Sequence, residues 1–460
     1  MSRLLSSLSL FASFTAVFWG LKAVAQTPDG GVRMQEVGAQ APEAGGQAPE
    51  AGAAAPVNSG VEAQVAAEMA AIQNQSGGEA YASDQVQHRR LDIYGFADFA
   101  YMRFMEDSVV LSPSASSFSV GNLNLYLASD LGDEWRSLIE VRFMYLPNGA
   151  QTSPTLLGPA MDTTVYDNSD FGRPVQWGGI HIERVWLERT FHKLLTVRVG
   201  HWLTPYGIWN VDHGSPVVIG VGRPFIVGEE LFPASQTGIE TYGTADIDNI
   251  QLGYHLTLSN GRGPASSTCD FDNNKALGGR LYLRYESAFG TLNLGTAVYR
   301  GQYTNKHSAL GVDTKGTPAV VGVIDAQYDE LSLSGDLKWQ WGGLLAQGEV
   351  IENEVAFTPS GRTTSKTGAP AFDSDYRRWG AYGLAGYRFA FLGVMPYAGI
   401  GYYKEGSSSL IPKLWDFWVG LNLRPTPRVV LKLQYTNVHF YLDPQTPDAR
   451  MMAAQTAWSF

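Results

Sequence analysis

The chain of 460 residues contains a single cysteine, Cys269. One thiol excludes an internal disulfide and a cysteine-rich metal site. Beyond the N-terminus there is no uninterrupted apolar run of about 18 residues, so the sequence predicts no transmembrane helix. Charged residues make up only 17% of the chain, and the net charge of -11 argues against a nucleic-acid partner. A large chain of this kind needs another source of cohesion, and a closed hydrogen-bonded sheet is one.

The N-terminus has the pattern of a secretory signal peptide. Arg3 provides a positive start, residues 4–21 form an apolar stretch, and Ala23-Val24-Ala25 places small residues at both positions of a cleavage site. We therefore predict a signal peptide over 1–25 and an exported mature chain. An uncleaved N-terminal anchor is the alternative, and the lack of a nearby cysteine argues against a lipid anchor.

Residues 26–87 are rich in Ala, Gly, Pro and Glu, and they contain the near-repeat QAPEAGG–QAPEAG over 40–52. Such a composition buries too little apolar area to offset the entropy of ordering the chain. We predict a flexible periplasmic linker. Apolar spacing near 58–75 indicates a short helix, either a docking segment or a transient helix in a disordered tail.

From residue 88 onward the sequence alternates between apolar and polar side chains. In one example, Ile250, Leu252, Tyr254, Leu256 and Leu258 alternate with Gln251, Gly253, His255, Thr257 and Ser259. Alternation with a period of two predicts strands and not helices. The predicted strands are 91–104, 118–131, 135–147, 180–192, 194–202, 237–245, 248–259, 276–287, 290–303, 326–340, 342–355, 377–390, 393–404, 413–424, 428–442 and 450–460.

Sixteen strands, an even number, are typical of a transmembrane up-and-down antiparallel β-barrel. The predicted connections alternate between short turns and long loops, as expected of a barrel with tight periplasmic turns and extended outer loops. The long ones are 105–117, 148–179, 203–236, 260–275, 304–325, 356–376, 405–412 and 443–449. The all-β domain 88–460 is therefore predicted to be integral to a bacterial outer membrane and in contact with its lipid.

A barrel of this size encloses an aqueous lumen, and alternation assigns its lining. The Leu/Val/Ile face is assigned to lipid, which turns Glu140, Arg142, Arg184, Glu188 and Arg198 inward on adjacent strands. The sequence thus predicts an arginine-containing wall. Arg280 and Arg284 form a second predicted basic pair on the eighth strand.

The loop 203–236 is the longest predicted connection and is unusually apolar. A loop folded into the lumen explains that composition, and Asp212, Glu229 and Glu230 would then face the arginine wall across a constriction. Clusters of charged side chains set ion preference in pores. The alternative is that this loop packs over the barrel mouth or against a neighbouring subunit.

The last residue, Phe460, ends an amphipathic strand and resembles the C-terminal signal that the barrel-assembly machinery reads. Together with the strand count and the length of the loop 203–236, the third of the long loops, Phe460 makes residues 91–460 resemble the general bacterial porins. The segment Val199-Gly200-His201-Trp202-Leu203-Thr204-Pro205-Tyr206-Gly207 is similar to the G-x-x-x-x-P-[FY]-G segment of the phosphate-selective porin-like group.

The resemblance implies passive diffusion of small hydrophilic solutes, often through a homotrimer, without a cofactor or metal. Phosphate-selective members use a ladder of Lys and Arg, whereas this chain interleaves acidic residues with its basic ones, so phosphate specificity is not carried over. These acidic residues are Asp98, Glu140, Glu188, Glu286, Asp336 and Asp416. Near-balanced charges favour a weakly selective channel.

Other functions have less support in the sequence. The eight histidines belong to no catalytic motif, so we predict no enzyme. Residues 26–87 are too short for the plug of an energy-coupled transporter, and no C-x-x-C-H haem motif occurs. A non-conducting structural or adhesin barrel remains as the alternative to a porin.

Overall fold

The computed structural model describes residues 90–105, 116–144, 151–155, 158–161, 179–210, 214–228, 230–263, 270–312, 318–359, 375–406, 413–441 and 448–460. The predicted signal peptide, the linker and its short helix lie outside these residues. No helix in the described part of the chain has the length and apolar character needed to cross a membrane.

Sixteen antiparallel strands close into one barrel. In chain order they are β1 Arg90–Phe104, β2 Ser116–Gly132, β3 Trp135–Met144, β6 Gly179–His192, β7 Leu195–Leu203, β8 Ser235–Ile247, β9 Ile250–Ser259, β10 Ala276–Ser287, β11 Gly290–Val312, β12 Pro318–Trp341, β13 Leu344–Phe357, β14 Tyr376–Tyr387, β15 Met395–Glu405, β16 Lys413–Thr426, β17 Val429–Phe440 and β18 Ala449–Ser459. A separate hairpin, β4 Gln151–Thr155 and β5 Gly158–Met161, lies between β3 and β6.

Each barrel strand pairs with its neighbours in sequence, and β1 pairs with β18 to close the sheet. The backbone N–H and C=O of Phe460 also pair with the C=O and N–H of Gly95, both at 3.0 Å. Because the barrel is closed, no barrel strand has an unpaired edge within the wall. The backbone N–H and C=O groups of the wall are therefore hydrogen-bonded without water. The prediction of a sixteen-strand antiparallel barrel is confirmed.

The two faces of the sheet differ as the alternation predicts. Large apolar side chains are exposed on the outer face around the barrel, among them Ile93, Ile139, Leu252, Leu281, Leu333, Ile400 and Leu433. Ionisable side chains are buried on the inner face, among them Asp98, Glu140, Glu188, Glu240, Glu330, Glu349 and Lys432. This is the reverse of a soluble β-domain, in which the buried face is the apolar one.

Tight turns join the strands at one end of the barrel. Asp133 and Glu134 connect β2 to β3 with φ values of 52° and 66°. Positive φ at both central residues is typical of type I′ hairpin turns, whose twist matches the twist of paired strands. At the opposite end most connections are longer, in agreement with the prediction. The exceptions are 313–317 and 406–412, whose five and seven residues do not exceed the seven residues of 388–394 at the tight-turn end.

Two predicted connections differ from the structure. Most of 304–325, predicted as a loop, belongs to β11 and β12, which remain paired as far as Val312 and Pro318. The polar run Thr304–Ser308 lacks the alternation that a strand embedded in a wall requires. The connection 145–178 between β3 and β6 is also longer than the connection 204–234 between β7 and β8. The loop predicted at 203–236 is therefore not the longest connection.

One position in β7 requires glycine. Gly200 has a φ of 131°, and a Cβ there would lie 2.3 Å from the carbonyl oxygen of Val185 on β6. We expect Gly200→Ala to destabilise the barrel by about 1–3 kcal/mol, because both the backbone region and the neighbouring strand oppose a side chain. Gly383→Ala on β14 is the matched control, since a Cβ there meets no atom within 4 Å.

The measurement is the urea concentration at which half of the protein is unfolded. The folded fraction is determined from the difference in gel migration between the folded barrel and the heat-unfolded protein. An unchanged midpoint for Gly200→Ala, or an equal loss for Gly383→Ala, would show that the geometry at Gly200 is not required.

Candidate functional site

The inner face of β3, β6, β7 and β8 carries a network of paired charges, which we call the charged wall. Arg184 Nε donates to Glu140 Oε2 at 2.5 Å, and Arg198 binds Glu188 at 2.7 Å and Glu240 at 2.9 Å. The structure therefore brings together four of the predicted residues in two neighbouring ion-pair groups, Glu140 with Arg184 and Glu188 with Arg198.

The predicted Arg142 also belongs to this wall, but its partner was missed by the sequence. A register shift between Glu140 and Val141 lets β6 insert one extra residue opposite β3. The bulge turns Glu183 toward Arg142, and their side chains are 3.1 Å apart. Strict alternation would place Glu183 on the lipid face, so only the bulge reveals this pair.

Further polar groups complete the charged wall. Arg136 binds Glu188 at 2.6 Å, and Tyr242 Oη donates to Glu188 at 2.7 Å. His255 Nδ1 lies 2.8 Å from Glu240. The glutamates are thus surrounded by donors, which offsets the cost of removing their charges from bulk water.

Aromatic rings hold Arg198 in place. Its guanidinium carbon lies 4.3 Å from the ring centroid of Trp186 and 4.9 Å from that of Tyr242. Stacking of this kind favours a cation through the ring quadrupole and fixes the plane of the guanidinium. Arg198 is therefore the most constrained charge of the wall.

The second predicted pair separates into two environments. Arg280 binds Asp336 at 2.7 Å and also donates to the carbonyl oxygen of Pro205 at 3.1 Å. Arg284 instead pairs with Glu286 near the end of β10, where both side chains are exposed. Arg280 belongs to the interior, whereas Arg284 lies toward one mouth of the barrel.

The connection between β7 and β8, residues 204–234, packs on the inner face of the barrel. We call it the inner loop. Its apolar side chains form one buried cluster with inward-facing residues of β13–β18. The loop contributes Trp209, Ile219, Phe225, Ile226 and Leu231, and the strands contribute Ile351, Tyr382, Leu384, Met395, Tyr397, Tyr403, Leu414, Trp418, Val438, Phe440 and Ala449.

Strand side chains also bind the backbone of the inner loop. Lys432 Nζ donates to the carbonyl oxygens of Val218 and Gly220 at 2.8 and 3.0 Å, and Asn422 donates to that of Ile219 at 3.0 Å. Charge-assisted hydrogen bonds from one ammonium group to two carbonyl oxygens hold this part of the loop in place. The described part of the inner loop therefore lies against inward-facing side chains of the wall.

The sequence motif at the start of the inner loop has a geometric explanation. Gly207 has a φ of 74°, and a Cβ there would lie 2.1 Å from Glu349 Oε2. Tyr206 Oη lies 2.8 Å from Thr257 Oγ1. Burial raises the pKa of Tyr206 to about 12, so the phenol stays protonated and hydrogen-bonded. Gly200, Pro205, Tyr206 and Gly207 together turn the chain from β7 into the interior.

The inner loop carries a half-buried basic residue, Arg223. Burial lowers the pKa of Arg223, the positive charge of Arg142 lowers it further, and Glu230 and Glu183 act in the opposite direction. These interactions place Arg223 within electrostatic range of the wall. Arg223 was not predicted, because it lies in a loop without alternation.

Of the predicted acidic residues of the loop, Asp212 and Glu229 lie outside the described residues. Glu230 has a φ of 48°, and its backbone carbonyl accepts a hydrogen bond from Arg262. The predicted field between these acids and the arginines therefore stays a prediction. Within the described ranges no three His, Cys, Asp or Glu side chains are grouped to hold a metal ion.

No protein-family model matches this chain, and no curated protein matches its sequence. The predicted resemblance to the phosphate-selective group thus has no support from a family match. Among solved structures, the outer-membrane expressed OmpT of Vibrio cholerae is similar at a TM-score of 0.48 and 11% identity, covering 83% of this chain and 100% of that one. The anion-selective porin from Comamonas acidovorans gives 0.46 and 12%, covering 81% and 100%. OprB of Pseudomonas putida gives 0.47 and 10%, covering 80% and 94%.

Proposed function

We propose that this chain is an outer-membrane porin that allows passive diffusion of ions and small hydrophilic solutes. The main supporting observation is that two different surfaces face each other inside the barrel. The inner loop packs its apolar side chains against β13–β18, whereas paired charges of the charged wall lie on β3, β6, β7 and β8. A hydrated path between the loop and the charged wall suits both surfaces.

The outer surface supports the proposed location. Apolar side chains are exposed around the barrel, and exposing that much apolar area to water would be costly. In a bilayer the same surface contacts lipid. Export through the signal peptide, recognition of Phe460 by the barrel-assembly machinery and assembly into a homotrimer complete the proposal, and we assign the chain no enzymatic reaction and no cofactor.

The proposed constriction lies between the inner loop and the charged wall. Arg142, Arg184 and Arg198 each have a carboxylate partner, so the wall carries little net charge. Paired charges attract anions and cations about equally, because the two fields cancel beyond a few ångströms. We therefore propose weak ion selectivity.

A non-conducting structural or adhesin barrel is the second candidate, and one observation favours it. Glu140, Glu188 and Glu240 are each at most 1% exposed. Such burial suits an interior closed by its own side chains.

Swelling of proteoliposomes distinguishes the two candidates. We expect vesicles that contain the folded protein to swell in a monosaccharide and to swell progressively more slowly in larger neutral sugars, without saturation. Swelling no faster than in protein-free vesicles would support the non-conducting barrel, provided that urea resistance shows the protein to be folded.

A further inference from the structure

The hairpin formed by β11 and β12 extends well beyond its neighbours. Within the wall, β10 pairs with β11 no further than Arg300, and β13 pairs with β12 no further than Tyr328. The two long strands continue to pair with each other as far as Val312 and Pro318. Beyond Tyr303, the partner of Tyr328, the nine further residues of β11 correspond to roughly 30 Å of projecting ribbon.

Both edges of this ribbon are unpaired among the described residues. Stacked rings of Tyr303 and Tyr328, 4.8 Å apart, mark its base. Beyond them, 305–312 and 318–326 have a strand partner on one side alone. A two-stranded ribbon is marginally stable in water, and a row of unpaired N–H and C=O groups is a template for another strand.

The composition of the ribbon favours pairing and does not block it. Residues 319–324 read Ala-Val-Val-Gly-Val-Ile, which is rich in β-branched residues and has no charge. Val320 is 70% exposed. Each strand carries one formally charged residue beyond the base, Lys306 on β11 and Asp325 on β12. Edges protected against association normally carry more charge or an internal proline, whereas Pro318 is only the first residue of β12.

We infer that the hairpin docks with the hairpin of a second copy of this chain, head to tail. The β11 edge of one copy then pairs antiparallel with the β12 edge of the next. This inference rests on the proposed membrane location, because copies in one membrane share their direction and depth. Under that constraint, β11 and the neighbouring β12 run in opposite directions at matching heights.

The charged residues favour pairing of β11 with β12 of the next copy over pairing of β12 with β12. Within one hairpin Lys306 pairs with Ile324, and Asp325 occupies the extra position of the adjacent register shift. Copies at equal depth would bring position 306 of one copy to about the level of position 325 of the next, so Lys306 and Asp325 would attract each other. Pairing of β12 with β12 would instead be parallel and would oppose two aspartates, which is unfavourable.

The test uses single-cysteine chains in a Cys269→Ser background. Lys306→Cys and Asp325→Cys chains with different tags are co-expressed in one Gram-negative outer membrane and oxidised there. Each chain has one thiol, so a covalent product always joins two molecules. We expect the mixed 306–325 dimer to exceed both the 306–306 and the 325–325 dimers severalfold. Val199→Cys on the exposed face of β7 controls for random collision.

Mixed dimer no more abundant than either same-site dimer, or equal to the Val199→Cys background, would overturn the inference. Conductance of the same preparation separates this failure from failure of the proposed function. If the protein conducts but no excess of mixed dimer forms, the docking inference alone is wrong. If the protein is absent from the membrane fraction, the proposed location is wrong, and the register argument that depends on it is wrong as well.

Discussion

Replacing residues 209–228 with a short Gly/Ser linker is expected to increase single-channel conductance severalfold. The inner loop covers the β13–β18 half of the interior through its cluster of apolar side chains, so removing it widens the path beside the charged wall. Shortening the β11–β12 hairpin by removing 306–324 is the matched control. That segment lies beyond the wall strands that flank it, and its removal should leave conductance unchanged.

A milder variant protects this test from misfolding, because deletion exposes an apolar wall. Lys432→Met removes both ammonium contacts to the carbonyl oxygens of Val218 and Gly220. We expect larger and noisier open steps, since the loop then fluctuates between positions. Steps identical to those of the unchanged protein in both variants would contradict a constriction formed by this loop.

The second large effect concerns ion selectivity. Arg198→Gln leaves Glu188 and Glu240 without their shared guanidinium, so we expect a clear shift of the reversal potential toward cation preference. Glu188→Gln with Glu240→Gln should shift it toward anions. Arg300→Gln, at an exposed position on the outward side of β11, is the matched control and should cause no shift.

Stability measurements on Arg198→Gln separate a hydrated interior from a dry one. In a hydrated channel the two released carboxylates gain water, and the free energy of unfolding should change little. In a dry interior, removing one partner of a buried ion pair costs about 3–5 kcal/mol. A loss of that size without a change in selectivity would favour the structural barrel.

The barrel could be predicted from the sequence because its wall follows one simple rule. Each strand alternates between an outer apolar face and an inner polar face, so strands such as Ile250–Ser259 are recognisable from their side-chain pattern. The hairpin beyond the wall escaped prediction for the same reason. Residues 304–308 lie beyond the last residues that β10 and β13 pair with, so the two-faced pattern of the wall is not required there.

The residues of the charged wall were predicted where side chains alternate strictly along the strand, and they were missed where that alternation fails. Glu140, Arg184, Glu188 and Arg198 follow from parity along their strands. Glu183 does not, because a bulge in β6 changes the parity at that residue. The contact of Lys432 with the inner loop joins residues more than two hundred positions apart. Nothing local in the sequence encodes such a contact.

Single-channel recording in a planar bilayer shows whether the closed barrel conducts ions. We expect stable open steps from the purified full-length protein, with a small reversal potential under a salt gradient. Folded, inserted protein that produces no steps would rule out the proposed porin and leave a structural or adhesive barrel in its place.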